Sequence, residues 1–258
     1  MPDTAANDAG WLATVRDLTR RLVAIRSVSP DPGEDTVARE VLRLLTEDGL
    51  EDAYTSVGLD PIPGDPHGRH NAYAFLRGAS ARTVVLLGHI DTVNTGDYGP
   101  LEPYALDPDA LNAHLEELAA LVPGLADDLA ARPGDWMLGR GAADMKGGDA
   151  VNIAVLRRLA RQARDGAPLP LSIVLLATPD EENESAGVLQ AVSFLLRLRE
   201  EQGLEYVGCI NTDYTTALYP GDPHRYAYTG TIGKLLPSFL VVGNSLRLGT
   251  LRPTPHGD

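Results

Sequence analysis

The stretch that decides the fold is Thr83-Val84-Val85-Leu86-Leu87-Gly88-His89-Ile90-Asp91. Its apolar part is typical of a strand that is buried on both faces of a sheet. Residues two apart on a strand point to the same side, so His89 and Asp91 are expected to face one site. Ligands bind at the carboxyl ends of strands in open α/β sheets, and a carboxylate commonly orients a metal-binding imidazole. The stretch therefore predicts the first part of a functional site.

Length and composition limit the class of protein. The chain has 258 residues and a net charge of −14, which disfavours nucleic acids and anionic membranes as partners. Residues 1–10 do not resemble a signal peptide, and no apolar run is long enough to span a membrane. The single cysteine, Cys209, excludes an internal disulfide and is interpreted as an inert residue of a buried strand. We therefore expect a cytoplasmic protein.

Apolar runs alternate with amphipathic helices along most of the chain. Strands are predicted at residues 71–77, 83–91, 136–141, 171–177 and 206–210, the second and the last two of them fully buried. Helices are predicted at residues 11–25, 34–48, 147–164 and 185–200, with a further one at 108–121 inside a polar insertion, residues 94–135. This alternation predicts an α/β sheet covered on both faces. From Tyr226, strands at 226–232 and 235–242 with little helix indicate a second, α+β domain.

Acidic residues occur at turns or strand ends in three further places. They are Asp144, in the motif Gly139-Arg140-Gly141-Ala142-Ala143-Asp144-Met145-Lys146-Gly147-Gly148, Glu181 and Glu182, in Pro179-Asp180-Glu181-Glu182, and Asp213, which follows the strand at 206–210. The carboxyl ends of parallel strands lie on one edge of a sheet, so these carboxylates should converge with His89. They would repel one another unless divalent cations were bound. Nitrogen and oxygen ligands without thiolate suit zinc, cobalt or manganese.

The paired glutamates suggest a division of roles. Two metals bridged by one carboxylate would activate water and polarise a carbonyl. Because Glu181 and Glu182 are neighbours and point different ways, one can bind a metal while the other holds the water as general base. Each acidic residue also has a structural interpretation: Asp144 as a helix N-cap, the glutamates as charges in a first helical turn, and Asp213 as a turn residue. Their joint occurrence favours the metal site.

The order of these motifs resembles the dinuclear-zinc aminoacylase, carboxypeptidase and deacetylase family, the co-catalytic metallopeptidases of succinyl-diaminopimelate desuccinylase and peptidase T type. The resemblance rests on Gly88-His89-Ile90-Asp91-Thr92-Val93 and on the three acidic motifs above, and it covers residues from about 10 to 243. The insertion after Thr95 and residues 211–237 resemble the arginine-utilisation branch. The implied fold is a zinc-peptidase-like three-layer domain with a mostly parallel central sheet, followed by an α+β lid.

The resemblance implies a role for each site residue. His89 and Asp213 bind one zinc, Asp91 orients His89, Asp144 bridges the two metals, Glu182 binds the other zinc, and Glu181 is the general base. The implied reaction is hydrolysis of an amide bond in a small peptide or N-acyl amino acid. The family's last metal-binding histidine follows the lid and has no counterpart here, because resemblance is lost after Val242. We therefore expect two zinc ions, or cobalt or manganese, with an incomplete second site.

The same resemblance sets the expected domains. Two alternatives to an active hydrolase also stay open. Residues 1–225 should form the catalytic metal-binding domain and residues 226–258 the truncated start of a lid, which dimerises when complete. One alternative is a catalytically impaired truncated remnant that retains partial metal binding. In either case, truncation is expected to expose apolar surface and to cause poor solubility or oligomerisation. The other is a dinucleotide-binding domain, which is disfavoured because Asp144 replaces the third glycine of that fingerprint and would face the pyrophosphate.

Overall fold

The computed structural model describes residues 4–216, 218–219, 222, 224 and 226–230. The chain divides into two compact units, Met1–Tyr214 and Thr215–Asp258. The predicted strand at 235–242 lies outside the described residues, and residues 226–230, the described part of the other predicted lid strand, form no strand. The assignment of residues 1–225 to a catalytic domain and 226–258 to a lid stays a prediction.

Helices and strands alternate in the first unit. The strands are β1 (Ser56–Pro61), β2 (His70–Leu76), β3 (Arg82–His89), β4 (Ser172–Thr178) and β5 (Glu205–Asn211). The helices are α1 (Thr4–Val23), α2 (Gly33–Thr46), α3 (Pro108–Asn112), α4 (Leu115–Leu121), α5 (Leu125–Ala131), α6 (Lys146–Arg164) and α7 (Ala186–Gln202). Strand β1 was not predicted, because most of its residues are only half-buried and its sequence carries a glycine and a proline.

The five strands form one mixed sheet in the order β1-β2-β4-β3-β5. Strands β4, β3 and β5 are mutually parallel, and β1 and β2 extend the sheet with antiparallel pairing. The insertion and helix α6 connect β3 to its neighbour β4, and α7 then carries the chain back across β3 to β5. Such a reversal of strand order opens a crevice at the carboxyl ends of the strands. The α/β class and the parallel centre of the sheet are confirmed.

Amphipathic helices cover both faces of this sheet. Alternate residues of β2 point to opposite faces: Ala74 packs in the core formed with α1, α2 and α6, whereas Phe75 packs in a second core with α7. Both side chains are fully buried. The predicted three layers are therefore confirmed. None of the helices in the described part of the chain combines the length and the apolar character needed to cross a bilayer.

The predicted strand at residues 136–141 is wrong. This segment packs instead on the insertion, whose own apolar cluster contains Leu101, Leu111, Leu118 and Leu125 with Leu138 against it. The backbone N–H of Arg140 donates to the carbonyl oxygen of Ala105 at 2.8 Å. The insertion therefore carries a small core of its own and adds no strand to the sheet.

The prediction that residues 206–210 form a buried strand is half wrong: β5 exists but is exposed. It lies at the edge of the sheet, where Ile210 is 52% exposed and Cys209 is also exposed. An apolar cleft of about 510 Å³ separates β5 from α7, with Val192 and Val207 in its walls. An apolar run predicts burial only when some element covers it, and no described element pairs with the outer edge of β5.

Candidate metal centre

The carboxyl ends of the three parallel strands lie side by side. His89 of β3 is in register with Thr178 of β4, and Leu87 of β3 with Asn211 of β5. Beyond β3, the backbone N–H of Ile90 donates to the carbonyl oxygen of Thr178 at 3.0 Å. The segments that follow these strands therefore start at one edge of the sheet, as the sequence predicts.

Three of the predicted ligands meet at this edge. His89, Asp144 and Glu182 each present a ligand atom, and these atoms lie within 4.8 Å of one another. Nε2 of His89 is 2.9 Å from Oδ1 of Asp144 and 3.9 Å from Oε2 of Glu181. Two ligands of a tetrahedral zinc, each about 2.0 Å from it, lie about 3.3 Å apart, so the His89–Asp144 spacing needs only a small opening. The donor set and its spacing fit a zinc ion.

Asp91 lies beside the imidazole and is completely buried. Nδ1 of His89 is 3.2 Å from the backbone oxygen of Asp91 and 3.5 Å from its Oδ1. Oδ2 of Asp91 accepts a hydrogen bond from the backbone N–H of Glu182 at 2.9 Å. Asp91 therefore contacts both the imidazole and the loop that carries the paired glutamates, a second contact that the sequence does not indicate.

Asp213 is near this group but not part of it. Its Oδ1 accepts a hydrogen bond from the backbone N–H of Tyr214 at 2.7 Å, which matches the interpretation as a turn residue. The negative charge of Asp213 still affects the titration of a site residue. Burial, and then the negative charges of Asp91 and Asp213, raise the pKa of Glu181 against the opposing effect of His89.

The helix ends exclude the structural interpretations of the other carboxylates. Helix α6 begins at Lys146 and has no side-chain cap, so Asp144 is not its N-cap. Helix α7 begins at Ala186 and has no acidic residue in its first turn, so the paired glutamates do not interact with its dipole there. The expectation that a strand leads into Asp144 is also wrong, since the preceding residues pack on the insertion. A turn, and not the end of a strand, positions the carboxylate of Asp144.

Electrostatics at the site favour a cation. Burial opposes the charged form of His89, but the Asp91 carboxylate and the charges of Glu181 and Asp149 outweigh it and raise the pKa of His89 to about 10. Burial and the charge of Asp144 raise the pKa of Glu182. Negative charge contributes to both shifts, and a divalent ion would neutralise it.

Asp149 is a buried group of the site that sequence reasoning missed. Its carboxylate packs against Gly88, where an added Cβ would lie only 2.0 Å from Oδ1 of Asp149. Burial raises the pKa of Asp149 to about 8, although His89 and Lys146 favour its charged form. The available signal was its position on α6: Asp149 and Asn152 precede Ile153 and Leu156 on the face that packs on the sheet. Polar residues on a buried helical face indicate a polar partner.

Comparison with known proteins places these residues in a family. The profile described as peptidase family M20/M25/M40 matches residues 85–220, more than half of the 258 residues. The chain belongs to peptidase family M20/M25/M40. The matched span contains the four predicted ligands, His89, Asp144, Glu182 and Asp213, whose roles as ligands stay predictions.

Two curated relatives extend the similarity. Protein RocB of Bacillus subtilis is 37% identical over 238 residues, which cover 91% of this chain and 41% of RocB. Succinyl-diaminopimelate desuccinylase of Stenotrophomonas maltophilia is 28% identical over 227 residues, which cover 87% of this chain and 49% of that protein. The chain thus spans less than half the length of these M20/M25/M40 relatives.

A solved structure supports the fold. The dipeptidase Dug1p of Saccharomyces cerevisiae superposes with a TM-score of 0.50 at 16% sequence identity, and the match covers 76% of this chain and 38% of Dug1p. At this identity the likeness concerns the fold alone. It agrees with the three-layer arrangement that positions the M20/M25/M40 motifs.

Gly148→Ala is expected to disturb the metal site by displacing the end of β5. An added Cβ would lie 2.2 Å from the carbonyl oxygen of Thr212, the residue before Asp213, so the chain at the end of β5 would have to move. We expect unfolding to become easier by about 1–3 kcal/mol and zinc binding to weaken. Urea denaturation and zinc titration measure both effects.

Gly10→Ala is the matched control, because this helical glycine has nothing within 4 Å of an added Cβ. Alanine there should stabilise the chain by about 0.5–1 kcal/mol. Equal behaviour of the two variants would show that the close approach of Gly148 to Thr212 is unimportant.

Proposed function

We propose that the protein is a metal-dependent hydrolase that cleaves the amide bond of a small peptide or N-acyl amino acid with water activated by two zinc ions. The observation that carries the proposal is the group of His89, Asp144 and Glu182 at the carboxyl edge of the sheet, with Glu181 beside it. Membership of the M20/M25/M40 family supports the reaction class. The name of the desuccinylase relative supports an N-acyl amino acid as substrate.

The proposed roles follow the order of the motifs. His89 and Asp213 would hold one metal, Glu182 would hold the other, Asp144 would be a ligand of both, and Asp91 would keep the imidazole of His89 in position. Zinc, when bound, supplies a Lewis acid that acidifies water and polarises the substrate carbonyl. Cobalt or manganese would serve the same donor set. A cytoplasmic location and dimerisation through the lid belong to the same proposal.

Glu181 is the proposed general base. Its carboxylate takes one proton from the attacking water and passes it to the amine that leaves when the carbon–nitrogen bond breaks. It is suited to this because burial and neighbouring carboxylates raise its pKa, and a base works best when its pKa is nearer to the working pH. Its side chain is also 53% exposed, which leaves room for a substrate.

Glu181→Gln tests the proposal. With zinc supplied, the parent chain should release amine from N-acetyl or N-succinyl amino acids or from dipeptides. The variant should lose about 10²–10⁴-fold in kcat, the usual contribution of a general base, while its zinc content stays unchanged. Glu184→Gln removes a charge from the same loop and should retain kcat.

The competing candidate is an impaired chain that keeps partial metal binding. It is favoured by the finding that the metal-ligating group among the described residues has three members, fewer than two zinc ions require. A parent that binds zinc but hydrolyses none of these compounds would support this candidate and reject the hydrolase.

A further inference from the structure

A buried ion network lies directly behind the loop of the paired glutamates. Its members are Arg69, Glu34, Asp65 and Asp180, whose side chains are at most 3% exposed. Nη1 of Arg69 donates to Oε1 of Glu34 at 2.9 Å and to Oδ1 of Asp180 at 2.7 Å. Nη2 of Arg69 donates to Oδ1 of Asp65 at 2.7 Å. One guanidinium therefore joins three carboxylates from separate parts of the chain.

This network fixes the turn that precedes Glu181. Asp180 has a φ of +74°, a conformation that residues with a Cβ rarely adopt. The backbone N–H of Asp180 donates to Oε2 of Glu34 at 2.7 Å, and Oδ2 of Asp180 accepts from the backbone N–H of Ala186 at 3.0 Å. Both ends of the segment 180–186 are thus held through groups that Arg69 binds.

The far side of the same segment contacts the metal centre. The backbone N–H of Glu182 donates to Asp91, which also contacts His89. The loop is therefore held on one side by Asp91 and on the other side by the Arg69 network. Because the network is buried, removing one member leaves its partners without compensation, and breaking a buried ion group has large effects.

We propose that Arg69 is a positioning residue, whose guanidinium holds the Asp180 turn and thereby sets where Glu181 and Glu182 meet His89 and Asp144. The inference rests on the proposed function for its catalytic consequence. Arg69 touches none of the reacting atoms and acts only through Asp180 and Glu34. Lysine cannot take its place, since an ammonium is a point charge that lacks the planar fork needed to bind three carboxylates at once.

Arg69→Lys tests the inference while keeping the buried positive charge. In the metal-free chain, the amides of Asp180, Glu182 and Ala186 should exchange with deuterium at least about tenfold faster than in the parent. Zinc affinity should fall by about 10–100-fold, the usual effect of losing an outer-shell partner. In an active preparation kcat should fall and KM should stay, because the substrate site keeps its contacts.

Arg157→Lys is the matched control. Arg157 is also buried and binds two carboxylates, Oε2 of Glu47 at 3.2 Å and Oδ2 of Asp48 at 2.8 Å, but it lies on α6 and holds a different turn. It should leave the exchange of the 180–186 amides and the zinc affinity within about twofold of the parent, since it makes no contact with that loop. Equal loop exchange in the two lysine variants would overturn the inference.

Glu34→Gln provides a second variant if Arg69→Lys unfolds. It lowers the negative charge of the network but replaces one of the two Glu34 oxygens, of which Oε1 accepts from Arg69 and Oε2 from the Asp180 amide, so the loop amides should again exchange faster. Unchanged exchange would overturn the inference. A parent that binds no zinc would reject the proposed function instead, while the exchange measurement on the metal-free chain would still decide the role of Arg69.

Discussion

Replacing Asp144 with alanine is expected to lower zinc affinity by more than about 100-fold, because losing a direct ligand should exceed the 10–100-fold effect of an outer-shell partner. Oδ1 of Asp144 lies 2.9 Å from Nε2 of His89, and Asp144 is one of the three residues whose ligand atoms lie within 4.8 Å of one another. Its loss leaves one imidazole and one carboxylate in that group. Metal analysis of the purified chain and calorimetric titration with zinc measure the change.

A surface variant controls for the change in charge. Asp109→Ala removes the same charge from an exposed ion pair with Arg20, and it should bind zinc as the parent does. Saturating zinc should also raise the melting temperature of the parent and of Asp109→Ala, because a ligand that binds only the folded state stabilises it. Asp144→Ala should lose this rise. A variant with the zinc content of the parent would show that the group is not the metal site.

The second large effect concerns the exposed side of β5. At micromolar concentration the 258-residue chain should self-associate, because the outer edge of β5, with which no described element pairs, and the apolar surface beside it favour association. Val192 on α7 is 55% exposed and Val207 on β5 is 40% exposed, on either side of the apolar cleft. Val192→Lys should shift the chain toward monomer, as followed by sedimentation velocity.

Leu12→Lys is the matched control for this shift. Leu12 is 53% exposed, nearly as much as Val192, but it lies on α1, across the sheet from α7. It should leave the sedimentation profile unchanged. A monodisperse parent monomer, or equal effects of the two lysine substitutions, would contradict the assignment of the association surface to β5 and α7.

The sequence predicts the parts of the fold that depend on local pattern. The apolar runs of β3 and β4 and the helical periodicity of α6 are each confirmed, because a run or period in the chain determines which side is buried. The convergence of His89, Asp144 and Glu182 was also predictable, since their segments lead to one edge of the sheet. The detailed roles of these residues stay predictions.

What the sequence did not predict depends on partners distant in the chain. Residues 136–141 have strand-like composition, but they contact the insertion rather than the sheet. Residues 206–210 are apolar yet exposed, because their position at the edge is set by strand order, which no local pattern encodes. The role of Arg69 gave no signal, since only Asp65 is its neighbour in the sequence, whereas Glu34 and Asp180 are brought to it by the folded chain.

The contact between Gly88 and Asp149 restricts how this chain can diverge. The carboxylate of Asp149 occupies the space that a side chain at position 88 would need. A larger residue at 88 therefore requires a shorter one at 149 and a small shift of the Met145 side chain, whose Cε would lie 2.9 Å from the added Cβ, and an intermediate with just the first change would be strained. The two positions form an epistatic pair, so the order in which mutations arise decides which descendants of this sequence remain folded.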